Sequence, residues 1–157
     1  MAHTEAMKMF LRFSSLMLMV LFFQSFANAQ TVAELVTVAT ISAALDPSIA
    51  LPQGSSFVSN PKYATHIAAL LPDANKYTNF QLYVAKGLAK KLADDYVNQL
   101  KTSFTISNYF EISTSSSVIG AEARTRSEFK NDDNGKTLLL FVVKRADGVY
   151  FLVAQKK

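Results

Sequence analysis

From Ile119 to Phe129 the chain alternates with a period of two. Ile119, Ala121, Ala123, Thr125, Ser127 and Phe129 fall on one side, and Gly120, Glu122, Arg124, Arg126 and Glu128 on the other. That period belongs to a β-strand with one wet face. Beyond Phe129 the chain is punctuated by turns. Asn131-Asp132-Asp133-Asn134-Gly135 is a turn, and Thr137–Val143 (TLLLFVV) is apolar on both faces, as in a central strand. Ala146-Asp147-Gly148 is a hairpin turn in which Gly supplies a positive φ, and Val149–Ala154 is a last strand. Ser103–Ser113 (SFTISNYFEIS) opens the sheet, and Ser113–Ser117 reads as a flexible turn at its entry. Short connections make these segments a four-stranded antiparallel meander.

The half before residue 103 reads as helix and loop. Thr31–Leu45 fits either a helix (Val32, Leu35, Val36) or a strand (VTVATI), with helix the favoured choice. Residues 46–60 are a loop with two Pro and four Ser. Asn60-Pro61 is a helix start, Asn as N-cap and Pro at the first position, with Tyr63, Ile67, Leu70 and Leu71 on one face. Over 79–102, Val84, Leu88, Leu92, Tyr96 and Leu100 recur every four residues and predict one long amphipathic helix. The expected fold class is therefore α+β, N-terminal helices packed on a four-stranded antiparallel β-meander. Residues 30–60 form an N-terminal segment and loop, and 61–157 a single α+β domain.

The first 29 residues read as an address. Lys8 and Arg12 precede the apolar run Leu16–Phe23, and Ala27-Asn28-Ala29 fits a cleavage site, so residues 1–29 form a secretory signal peptide. Met7 makes a more natural start than Met1. The apolar run is shorter than the ~20 residues a membrane span needs. Removing 29 of the 157 residues leaves 128, room for one domain. No cysteine stands at the cleavage site. The expectation is export to a periplasm or to the medium, not as a lipoprotein.

Much chemistry is excluded. With 50% apolar and 18% charged residues the chain is not disordered. No Cys and a single histidine after the leader, His66, cannot supply the usual zinc sets. There is no G-x-S-x-G elbow and no phosphate-binding glycine loop. Asp94 and Asp95 diverge by about 100° on a helix. Glu122 and Glu128 on one strand lie roughly 20 Å apart, beyond the ~5–9.5 Å of glycosidase pairs. With Arg124 and Arg126 between them they read as a solvated charge ladder. Residues 124–157 carry eight basic against four acidic side chains, and residues 30–123 six against seven. The sheet half is thus the basic half, suited to peripheral contact with an anionic envelope surface. Nucleic acid is not an expected partner.

Helices followed by long antiparallel strands and a strand–Asp-Gly–strand ending resemble the NTF2-like or cystatin-like α+β group over roughly residues 79–157. The resemblance is greatest in Leu138–Val153 (LLLFVVKRADGVYFLV). Many NTF2-like domains end in a similar hairpin, with Trp where this chain has Tyr150. The cystatin Q-x-V-x-G loop is absent, and the region before residue 79 lacks the full NTF2-like helical set. The resemblance implies a helix and a curved sheet enclosing a pocket, and it includes catalysts as well as binding modules.

Three functions stand as expectations. The first is a non-catalytic exported module without a cofactor, holding a small apolar ligand or a protein partner between helix and sheet. Leu88, Leu92, Tyr96, Phe129, Phe141 and Tyr150 would line that site. The second is an envelope structural or interaction protein using its basic half or a sheet edge, a homodimer included. The third is an NTF2-like enzyme built around His66 or an Asp.

Overall fold

The structure is a computed structural model and describes residues 35–157. The leader expected at 1–29, and residues 30–34, lie outside the described residues. In chain order the elements are β1 (Leu35–Thr37), β2 (Ser56–Val58), α1 (Pro61–Ala68), a 3-10 turn (Ala74–Lys76), β3 (Tyr77–Lys86) and α2 (Lys90–Ile106). β4 (Tyr109–Ile119), β5 (Glu122–Asn131), β6 (Thr137–Arg145) and β7 (Gly148–Lys156) complete the chain. One seven-stranded sheet runs β1-β2-β3-β7-β6-β5-β4. β2 to β3, β3 to β7, β7 to β6, β6 to β5 and β5 to β4 are all antiparallel.

The expected N-terminal helices on a four-stranded meander are thereby corrected. The described part of 31–45 is not helical. β1 is followed by turns in which Ile41 N–H donates to Ile49 and Leu51 N–H to Ala39. Ile41, Leu45, Ile49 and Leu51 plug the end of the core. β-branched Val36, Thr37, Val38, Thr40 and Ile41 favour extended backbone there. The helix expected over 79–102 is two elements. Tyr, Thr, Phe, Tyr and Val make Tyr77–Lys86 a strand. It bulges between Thr78 and Gln81, where Asn79 takes φ +56°. Gly87, at φ +72°, turns the chain out of it. α2 then buries Ala93, Tyr96, Leu100 and Phe104. It runs on to Ile106, so the expected opening strand starts only at Tyr109.

Other readings match. Asn60 caps α1, its side chain accepting from Lys62 N–H at 3.0 Å, with Pro61 in the first turn. The two turns of the meander fall at 132–136 and 146–147.

Strand alternation divides the core between two faces. On one, α2 covers Tyr83, Ala85, Phe129, Leu138, Leu140, Val142, Phe151 and Val153. On the other, Leu82, Val84, Leu139, Phe141, Val143, Leu152 and Ala154 are buried, and α1 packs on β3 and β7 through Ala64, Ile67 and Ala68. Rings fill the space under α2. Phe104 lies 4.6 Å from Phe129, Tyr96 5.9 Å from Phe151, and Tyr83 5.2 Å from Phe151, centroid to centroid. Each buried tyrosine there has a polar partner for its hydroxyl, as burial demands. Tyr83 Oη accepts from Ser42 N–H at 2.9 Å, Tyr96 meets Ser55 Oγ at 2.5 Å, and Tyr109 donates to Asp46 at 2.7 Å.

Candidate functional site

The feature that the fold leaves unfinished is β4. Its root is fixed firmly. After α2, Asn108 adopts φ +67°, a left-handed conformation that Asn tolerates, and its Nδ2 donates to Asp133 Oδ2 at 2.7 Å. Asn131, 5% exposed, accepts from Asp133 and Asn134 N–H and closes the β5–β6 turn beneath it. Tyr109 enters the core beside Phe104. From there outward, all ten residues Phe110–Ile119 are exposed.

Among the described residues β4 ends the sheet, with β5 its one neighbour. Its register slips between Glu111 and Ser113, so Ile112 is a bulge residue. Beyond the bulge, Ser113–Ile119 (STSSSVI) pairs regularly with Glu122–Glu128. Edge strands are usually guarded by Lys, by Pro or by shortness. Ser113–Ile119 has no charge and no Pro. β1, at the opposite edge, has three described residues.

The turn identifies the backbone groups that face outward. Gly120 and Ala121 form a two-residue loop between the paired Ile119 and Glu122, and the residues flanking such a loop exchange both hydrogen bonds. Alternation then turns Ser113, Ser115, Ser117 and Ile119 toward β5. The N–H and C=O of Thr114, Ser116 and Val118 point away from the sheet. Side-chain rungs hold β4 flat on the α2 side: Thr114 Oγ1 meets Ser127 Oγ at 2.9 Å and Ser116 Oγ meets Thr125 Oγ1 at 3.2 Å.

The opposite face of β5 carries the charges in the order that the alternation predicts, but not as the solvated ladder expected: Glu128 is buried, and Glu122, Arg124 and Arg126 are half-buried, because other elements pair with them. Glu122 pairs with Arg124 at 2.9 Å and with Arg145 at 2.8 Å. Arg126 pairs with Glu128 and Asp73, each at 2.9 Å, and Lys156 with Glu128 at 3.0 Å. Tyr77 donates to Glu128 and accepts from Arg126. Burial alone would raise the Glu128 carboxyl, but the Tyr77 hydroxyl and Lys156 ammonium outweigh it and hold the group below its ordinary range. The same burial, with the Glu128 carboxylate, pushes Tyr77 well up. Hydrogen bonding from Arg124 lowers Glu122.

The six residues expected to line one pocket do not share one space. Tyr96 and Phe129 are buried under α2, and Leu88 is half-buried beside them. Leu92 is 55% exposed on the outer side of α2. Phe141 is buried on the other face of the sheet. Tyr150 is on that face too, donating to Asp147 at 2.5 Å. Burial, with Asp147 beside it, raises Tyr150 to about 12, and burial raises Tyr96 to about 12.

His66 is exposed on α1. Asp94 is bound to Lys144 at 2.5 Å, which lowers its carboxyl. Among the described residues no three of His, Cys, Asp and Glu are grouped to hold a metal ion, and no helix is long and apolar enough to cross a membrane. The outer part of β4 is missed by the sequence reading, which ends the opening strand at Ser113 and makes Ser113–Ser117 a turn. The signal was present in the β-branched Thr114, Val118 and Ile119 and in Gly120 as a hairpin corner.

Comparison of the chain with protein-family models, with curated proteins and with solved structures finds no match.

Proposed function

We propose that this chain is an exported, non-catalytic interaction module that takes up an extended strand of a protein partner along the free edge of β4. The carrying observation is that edge: ten exposed residues, with seven beyond the bulge that lack charge and Pro, displayed from a rigid root. Main-chain groups of Thr114, Ser116 and Val118 would supply the affinity, as in other strand-addition complexes. Two exposed apolar side chains, Val118 and Ile119, lie in the same run.

This reading is favoured over a small-ligand site between helix and sheet because aromatic rings occupy that space. A hollow of about 150 Å³ bordered by Val38, Thr40, Ser42, Phe57, Gln81 and Tyr83 lies beside β1 and β2 instead, below the ~300 Å³ at which ligand pockets begin. It is favoured over docking on an anionic envelope surface because Arg124, Arg126 and Arg145 are each spent on a carboxylate of this chain.

The test is a photo-crosslinking amino acid placed at Ser115 in the native host, with Asp95 on the exposed side of α2 as control. The expected result is a discrete protein adduct from position 115 that is absent from position 95. No adduct at 115, or equal adducts at both, would overturn the proposal.

A further inference from the structure

We infer that the strand taken up is β4 of a second copy of this chain, paired antiparallel about a two-fold axis at Ser116. This rests on the strand-addition reading above and names its partner.

The register is set by the bulge. A regular ladder cannot run through Ile112, so the usable segment is Ser113–Ile119, and its midpoint is Ser116. Ser116 carries outward-facing N–H and C=O, so it meets Ser116 of the second copy as a hydrogen-bonded pair. Thr114 then stands opposite Val118 of the second copy, again with outward groups on both sides. Ser115 meets Ser117, and Ser113 meets Ile119. β-branched Thr114 and Val118 form favourable cross-strand pairs. Val118, 75% exposed in the single chain, gains a neighbour.

Electrostatics do not oppose the pairing. Ser113–Ile119 is uncharged. In the row Arg124–Ser117–Ser115–Arg126, Arg124 of one copy lines up with Arg126 of the other. Three strand spacings separate them, roughly 14 Å, beyond the ~8 Å screening length at physiological salt. Each is also paired with a carboxylate of its own chain.

Closure favours a second copy over an unrelated strand. The contact is isologous, so one two-fold uses up both long edges. What is left at the ends of the joined sheet is β1 on each copy, three described residues long. The same edge left open would template further addition. Seven mostly small residues a side fall short of the ~800 Å² per partner of a standard interface, so the dimer should be weak and concentration-dependent.

The experiment uses the exported protein purified from its host. Sedimentation velocity over a hundredfold concentration range should give a monomer–dimer equilibrium. Ser116→Pro removes an outward N–H and should weaken dimerisation at least tenfold with the far-ultraviolet circular dichroism unchanged. The natural chain has no Cys, so Ser116→Cys should form a disulfide dimer on mild oxidation far faster than Asp95→Cys. A dimer that Ser116→Pro leaves intact, or a protein monomeric throughout whose Ser116→Cys crosslinks no faster than Asp95→Cys, overturns the inference. If a foreign chain is then captured at Ser115, self-pairing has failed while strand addition stands. If nothing is captured, both have failed.

Discussion

Replacing Phe104 by Ala tests whether the buried stripe of α2 is the one described. Phe104 is fully buried, 4.6 Å from the Phe129 ring and 6.1 Å from that of Tyr109. Removing a buried phenylalanine costs ~3–5 kcal/mol through lost transfer free energy and the cavity left behind. Two aromatic contacts go with it, which keeps the expectation off the lower end of that range. A domain of this size has ~5–15 kcal/mol in total, so the variant should keep its fold but lose a large share of its margin. With an m-value of ~2 kcal/mol/M in urea, a loss of about 4 kcal/mol moves the midpoint down by about 2 M. Leu92→Ala is the paired control. Leu92 belongs to the four-residue recurrence of the sequence, yet it is exposed, and its loss should stay within ~0.5 kcal/mol. Urea unfolding followed by circular dichroism measures both, the chain having no Trp. Equal midpoint shifts, or a larger one for Leu92→Ala, would refute the assignment of the α2 face.

Gly148 sits at φ +152°, and a Cβ there would collide with the Ala85 carbonyl oxygen. Gly148→Ala should cost ~2–4 kcal/mol in thermal unfolding from strain and overpacking together, whereas Gly87→Ala, with open space around it, should cost only the ~1 kcal/mol of its left-handed backbone. The Glu128 carboxyl titrates below its ordinary 4.5 in the folded chain. The unfolded chain therefore binds the proton more readily, so this contribution is full above about pH 4.5 and is lost as pH falls through the lowered folded value. Glu128→Gln should accordingly flatten the fall in Tm below about pH 4.5, and an unchanged acid limb would count against the Tyr77–Glu128–Lys156 linkage. Ser115→Pro should destabilise the fold by ~3 kcal/mol or more, because its N–H faces β5, while Ser116→Pro, facing outward, should cost far less in the same urea assay.

The parts legible in the sequence are those where local chemistry and tertiary context agree. Asn60-Pro61 carries its own capping bond, and Asp147-Gly148 its own turn geometry. The apolar run of β6 is buried on both faces as its composition demands. β3 was hidden by arithmetic. Positions 84, 88, 92, 96 and 100 are four apart, and four is a multiple of the strand period as well as close to one helical turn. Val84 is therefore buried under either reading, although it faces the α1 side of the sheet while Tyr96 and Leu100 pack in the core under α2, and only Gly87 marks the break. β4 was hidden for a different reason. An edge strand that buries neither face beyond its root needs no hydrophobic alternation, so Ser113–Ser117 carries no periodic signal. Its conformation comes from pairing with β5. Of the candidate site residues, Tyr96 and Phe129 both lie in the core under α2, Tyr96 because its position agrees with the true helix phase and Phe129 because the alternation of β5 turns it to that face. Leu92, one residue out of that phase, faces outward. Phe141 and Tyr150 lie across the sheet because neighbouring positions in a strand face opposite ways.

Residue-resolved amide hydrogen exchange along β4 bears most directly on the open edge. In dilute solution the amides of Ser115 and Ser117 should be protected by β5, while those of Thr114, Ser116 and Val118 exchange close to the rate of free peptide. At high concentration, or with the native partner present, the second set should slow and the first change little. Uniform protection of all five amides in the dilute monomer, or outward amides that stay fast under every condition, would contradict an unpaired strand that recruits another.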